Sequence, residues 1–110
     1  MQDLQIEMSQ TRKTLNECLL FYKNNGIKKA ESEMKYNIAR RIEFLRLHVE
    51  DKVAWTACND LAKGEPNVAK LRFERDLRKS DYECCLEKIL QLKVELRIIE
   101  NEMMAERKGM

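Results

Sequence analysis

Apolar residues in the last third of the chain recur at alternating steps of three and four. Tyr82, Cys85, Ile89, Leu92, Leu96, Ile99 and Met103 make up this row, the mark of a helical seam repeating about every 3.5 residues. Leu86, Leu90 and Ile98 flank the row and widen its apolar face. Pro66 suits the first turn of a helix, because it lacks an N–H that would be left without a partner there. From Pro66 to Arg107 there is no further Gly or Pro. The pattern predicts one helix over residues 66–107, about 60 Å long at roughly 1.5 Å per residue. A helix of that length implies an elongated shape.

The N-terminal segment repeats the period. Leu4, Met8, Thr11, Leu15, Cys18 and Tyr22 fall on one stripe of a helix over 3–24. Asn24-Asn25-Gly26 follows as a helix stop or a kink. A further helix is expected over 27–49, with Met34, Ile38, Ile42, Leu45 and Val49 on its inner face. Lys28, Lys29, Glu31, Glu33, Lys35, Arg40 and Arg41 make its charged outer face. Residues 54–63 read as a short helix ended by Gly64, with Glu65-Pro66 opening the next, and Trp55 is expected to cover the end of the hairpin. The fold predicted is all-α and a single domain: a long antiparallel helical hairpin or coiled coil with a short connecting helix. A three-helix bundle is the alternative if the chain turns back at Gly26.

Composition agrees with long helices. Charged residues make up 36% of the chain, against 3 Gly and 1 Pro, far too few breakers for a sheet-rich fold. The formal net charge is only +2, with basic and acidic residues interspersed, which reads as a solvated helix surface more than a nucleic-acid footprint. No apolar run long enough for a membrane span or an N-terminal signal segment occurs, so a cytoplasmic protein without a membrane partner is expected.

The chemistry-bearing residues are sparse. Cys18, Cys58, Cys84 and Cys85 form no C-x-x-C pair, and His48 is the only histidine. A structural zinc site needs ligands in such pairs, so no metal or cofactor is expected and the cysteines read as thiols. No Gly-rich phosphate loop and no Ser/His or Cys/His arrangement stands out, and the chain is not expected to be an enzyme. Residues 54–79 trace the outline of a helix-turn-helix bearing Lys70, Arg72, Arg75, Arg78 and Lys79. Glu65, Glu74, Asp76 and Asp81 alternate with these bases, and the second helix outruns a recognition helix.

Asp60-Leu61-Ala62-Lys63-Gly64, followed by Val68, Leu71-Arg72-Phe73 and Arg75-Asp76, resembles a pattern in small helical proteins encoded by phages and prophages of Gram-positive bacteria. Tyr36, Ala39, Ile42 and Leu45-Arg46 upstream fit the same group. So do Tyr82, Leu92, Leu96-Arg97 and Ile99-Glu100 downstream. The sequence departs from it at Arg78, Lys79, Cys84 and Cys85, where the group is Ala-rich, and at Glu50-Asp51-Lys52, where the group has a Gly-Pro-type turn. The resemblance implies a phage accessory protein of the host cytoplasm, with Asp60, Lys63, Arg72, Arg75 and Asp76 as candidate partner-binding residues.

Two function classes follow as expectations. The first is a non-enzymatic interaction protein that forms a homo-oligomer through Leu86, Ile89, Leu90, Leu92, Leu96, Ile98 and Ile99. It binds a host or phage protein, and inhibition of a host defence by protein binding or by sequestering a signalling nucleotide suits such a protein. The second is a nucleic-acid-binding protein supporting phage replication or recombination.

Overall fold

A computed structural model of the chain describes residues 2–109. Its helices are α1 (Gln2–Val49), α2 (Trp55–Lys63) and α3 (Pro66–Gly109), and no strand occurs among the described residues. The fold is therefore all-α, a pair of long helices joined through a short one. By its packing the chain divides into two units. One is built from α1 up to Asn24 and α3 from Tyr82 onward, and the other is Asn25–Asp81.

Asn24-Asn25-Gly26 neither stops nor breaks the helix, so α1 is one element of 48 residues and not two helices meeting at Gly26. That continuity sets aside the bundle in which the chain turns back at this point. An interior Gly costs about 1 kcal/mol against Ala, and Asn less. Packing along a long helix outweighs such costs, and Asn25 is itself buried.

In the first unit the two rows read from the sequence do face inward. Cys85, Ile89, Leu92, Ile99 and Met103 of α3 are buried, with Tyr82 and Leu96 half-buried. Across from them Leu4, Met8, Thr11, Leu15, Cys18 and Tyr22 of α1 are half-buried. Tyr22 donates a hydrogen bond to the Tyr82 hydroxyl at 2.5 Å, and the two rings stack with centroids 4.5 Å apart. The Cys85 thiol lies 3.6 Å from the Cys18 carbonyl oxygen. Each large apolar side chain buried in this seam contributes about 1.5–3 kcal/mol.

The second unit contains the turns. After Val49 the backbone closes on α1: Glu50 N–H donates to the Arg46 carbonyl (2.8 Å) and Val53 N–H to that of Leu47 (3.0 Å). Lys52 takes the left-handed conformation, φ 54°. Arg46 ties the corner by pairing with both Glu43 and Asp51, at 2.6 and 3.0 Å. Beneath it Leu47, Cys58 and Ala62 form a small core against which Phe44 and Val53 pack. Trp55 meets Phe44 and His48 edge-on, yet it remains 57% exposed, so it covers the turn only partly. Gly64 ends α2 in a right-handed conformation, φ −86°. The Glu65 carboxylate then accepts a hydrogen bond from Val68 N–H at 2.9 Å, which caps the start of α3.

Within this unit α1 presents the opposite face from the one its apolar pattern predicts. Met34, Ile38, Ile42, Leu45 and Val49, expected inside, are all exposed, and so is Ile27. Asn25, Ser32, Tyr36 and Leu47 are buried instead, with Lys29, Arg40 and Glu43 half-buried between them. At about 100° per residue the two rows lie roughly 180° apart on the helix. The buried row continues the three-and-four repeat of Leu4 to Tyr22, so an unbroken α1 carries that register onward into polar residues. Lys29 and Arg40, expected on the outer charged face, therefore turn inward.

Candidate functional site

The polar face of α1 meets α3 residues of the same unit. Tyr36 is 3% exposed, and the Arg75 guanidinium lies over its ring, 4.4 Å from the centroid. Arg40 approaches the same ring at 5.9 Å. Such stacking leaves the N–H groups of a guanidinium at the ring's edge, open to other acceptors. Arg75 donates from Nε and Nη2 to one Asp76 oxygen, at 3.1 and 2.9 Å. Lys29 pairs with Glu33 at 2.9 Å.

These groups line a cleft of about 420 Å³ made by Lys29, Glu33, Asn37, Arg75, Asp76 and Lys79. The Lys29 hydrogen bond holds the Glu33 carboxyl below the usual carboxylate range, and the positive charges of Arg75 and Lys79 act in the same direction. Three bases and two acids alternate around one amide. The arrangement suits a polar partner that brings both donors and acceptors.

A second cavity, about 320 Å³, is lined by Asn37, Arg40, Arg41, Phe44, Leu45, Trp55 and Asn59. Arg40 donates to the Asn59 side-chain oxygen at 3.3 Å, which fixes one wall. The sequence showed these residues only as helix-surface charges and a turn tryptophan, because α1 and α2 meet here through residues far apart in the chain.

Of the candidate partner-binding residues, the first cleft brings together Arg75 and Asp76. Asp60 and Arg72 are exposed on α2 and α3, and Lys63 is half-buried at the end of α2. Of the candidate oligomer residues, Ile89, Leu92 and Ile99 are buried and Leu96 half-buried in the seam with α1. They are covered within the chain, because the same three-and-four row serves the intrachain pair. Leu86, Leu90 and Ile98 lie outside that seam, 38%, 49% and 51% exposed.

His48 and the cysteines have structural surroundings. His48 Nδ1 lies 3.0 Å from the Val53 carbonyl oxygen, at the turn. None of the four cysteines is in a disulfide. Cys84 is exposed while its neighbour Cys85 is buried, as adjacent helix positions about 100° apart require. Among the described residues no group of His, Cys, Asp or Glu is placed to hold a metal ion, and no helix is long and apolar enough to cross a membrane. No protein-family model, curated protein or solved structure matches the chain.

Proposed function

We propose that the chain is a non-enzymatic interaction protein that self-associates and binds a host or phage factor, acting as a phage accessory protein in the host cytoplasm. One observation carries this reading. The second half of α1 exposes its apolar row to solvent while its polar face is buried against the rest of the unit. Large apolar side chains grouped on one exposed helix face are costly to leave in water and mark an interaction surface. The charged cleft around Arg75 and Asp76 is a separate surface, available to the second factor. The resemblance to small phage-encoded helical proteins supplies the setting, and counteracting a host defence by binding one of its proteins or its signalling nucleotide fits it. Light scattering at low micromolar concentration tests self-association. Binding of the factor is tested by comparing pull-downs from infected cells with wild-type and Arg75→Glu protein. A monomeric mass together with identical captures would overturn the reading.

A second reading, nucleic-acid binding in support of phage replication or recombination, is favoured by the cavity in which Arg40, Arg41 and Trp55 meet. Bases with an adjacent aromatic ring suit a phosphate-linked base. Retention on DNA that weakens steeply as salt rises supports it, and retention indifferent to salt counts against it.

A further inference from the structure

We infer that the exposed row of α1 is where two copies of this chain pack antiparallel, with Glu31 of one copy opposite Arg41 of the other. The inference rests on the self-association proposed above and assigns it a face and a register.

The row runs Ile27, Glu31, Met34, Ile38, Arg41 and Leu45, again at alternating steps of three and four. Every member is exposed. It is an interhelical seam in all but its partner. Ile42 and Val49 flank it, 64% and 69% exposed, and Trp55 stands beside Leu45 in the same cavity wall. α3 cannot supply the cover, because the side of α1 that it occupies in this unit is the one bearing Ser32 and Tyr36.

Two charges interrupt this row, and their placement selects the occupant. Glu31 and Arg41 are spaced evenly about the Met34–Ile38 pair. When a second copy runs antiparallel with Glu31 opposite Arg41, Ile27 falls opposite Leu45 and Met34 opposite Ile38. Each of these pairings is made twice about the two-fold axis, as an isologous interface demands. A parallel copy instead sets Glu31 against Glu31 and Arg41 against Arg41, and like charges across an interface are costly. The sequence of the row is thus complementary to its own reverse. Lys35 falls near the axis and faces its own copy, a repulsion that solvent and salt screen at the rim.

The area also suits a second copy. Covering the exposed parts of Ile27, Met34, Ile38, Ile42, Leu45 and Val49 on both copies removes roughly 1,200 Å² from water, the low end of stable interfaces.

The test is a charge exchange read by sedimentation equilibrium of the full chain, with circular dichroism confirming that each variant keeps its helicity. Wild type should show twice the 13.1 kDa chain mass at low micromolar concentration. Ile38→Glu should reduce it to the single-chain mass. Glu31→Arg and Arg41→Glu should each weaken association about tenfold or more, by setting like charges opposite one another. The double variant should recover most of that loss, because the pair is restored with its signs reversed. If both single exchanges leave the dimer unchanged, the antiparallel register is wrong. If Ile38→Glu stays dimeric while Leu90→Glu or Ile98→Glu dissociates, the interface lies on α3, and self-association stands without this inference. A single-chain mass for wild type overturns both.

Discussion

Arg75 of α3 stacks over the ring of Tyr36 of α1, 4.4 Å from its centroid, at a level of the seam where α1 also brings Ser32 and Arg40. The ring gives the unit a large buried group at a level where its neighbours Ser32 and Arg40 offer little apolar surface. Tyr36→Ala should therefore destabilise the chain by about 3 kcal/mol, within the range for emptying a buried aromatic site. Arg75→Gln keeps much of the stem but loses the charge above the ring, and should cost about 1 kcal/mol. Urea unfolding at one fixed protein concentration checks both, since the stability of any chain that associates depends on its concentration. Equal small losses for the two would show that the ring is not a packing centre.

Asn25 occupies a seam position and is 5% exposed, and its side-chain nitrogen has no hydrogen-bond partner. A buried donor without a partner costs about 1–3 kcal/mol. Asn25→Leu removes that donor and adds apolar burial, so it should raise the urea midpoint, by an amount worth about 1–2 kcal/mol. A lone buried Asn in a helical seam is known to fix register at a cost in stability. The Leu variant should accordingly also broaden the thiol reactivity of Cys18 and Cys85, because a looser register exposes them intermittently. A lowered midpoint would mean that the amide is satisfied in solution.

Where apolar residues and the seam coincide, the sequence was legible residue by residue. Tyr82 to Met103 and Leu4 to Tyr22 face inward as their spacing predicts, because there burial and hydrophobicity select the same positions. Between Asn25 and Leu47 the two criteria select opposite faces. The usual binary pattern places Met34, Ile38 and Leu45 inward, and it fails here because the buried side of α1 is the one bearing Asn25, Ser32 and Tyr36. The correcting signal was present in the spacing. Extending the row past Tyr22 in steps of three and four gives Asn25, Lys29, Ser32 and Tyr36. Extending the α3 row backwards from Tyr82 gives Arg78, Arg75, Leu71 and Val68. The Tyr36–Arg75 contact thus joins two seam positions. Neither row alone tells which residues of the two helices come level, because register depends on the length of the turn between them.

Lys52 holds a left-handed backbone, φ 54°, at the corner after α1. A side chain there costs about 1 kcal/mol that glycine avoids. Lys52→Gly should be neutral to stabilising by up to about 1 kcal/mol, the relief of strain being offset in part by the greater freedom of the unfolded chain. Lys52→Val should destabilise, because a β-branched residue is excluded most strongly from this region. Thermal unfolding of the two variants at one concentration orders them. Val equal to Gly would mean that the corner relaxes to a different turn.

The Tyr22–Tyr82 hydrogen bond predicts a loss of stability in alkali. Tyr22 donates its proton to Tyr82, and this bond raises the Tyr22 pKa above that of a free phenol. Burial acts in the same direction, as do the neighbouring Tyr82 and Cys85 when ionised. The unfolded chain, with a phenol near pH 10, releases the proton first. The stabilisation is therefore complete below about pH 10 and is lost as the pH rises through the folded value. Tyr22→Phe removes the donor while keeping the stacked ring. It should lower stability at neutral pH and should make unfolding less sensitive to pH above 10 than in wild type. Lysines and thiols titrate in the same range, so the informative quantity is the difference between the two proteins in urea midpoint against pH. That difference should shrink as the pH rises. A constant difference across the range would mean that the hydroxyl contact is not maintained in solution and that the stacked rings alone hold this level of the seam.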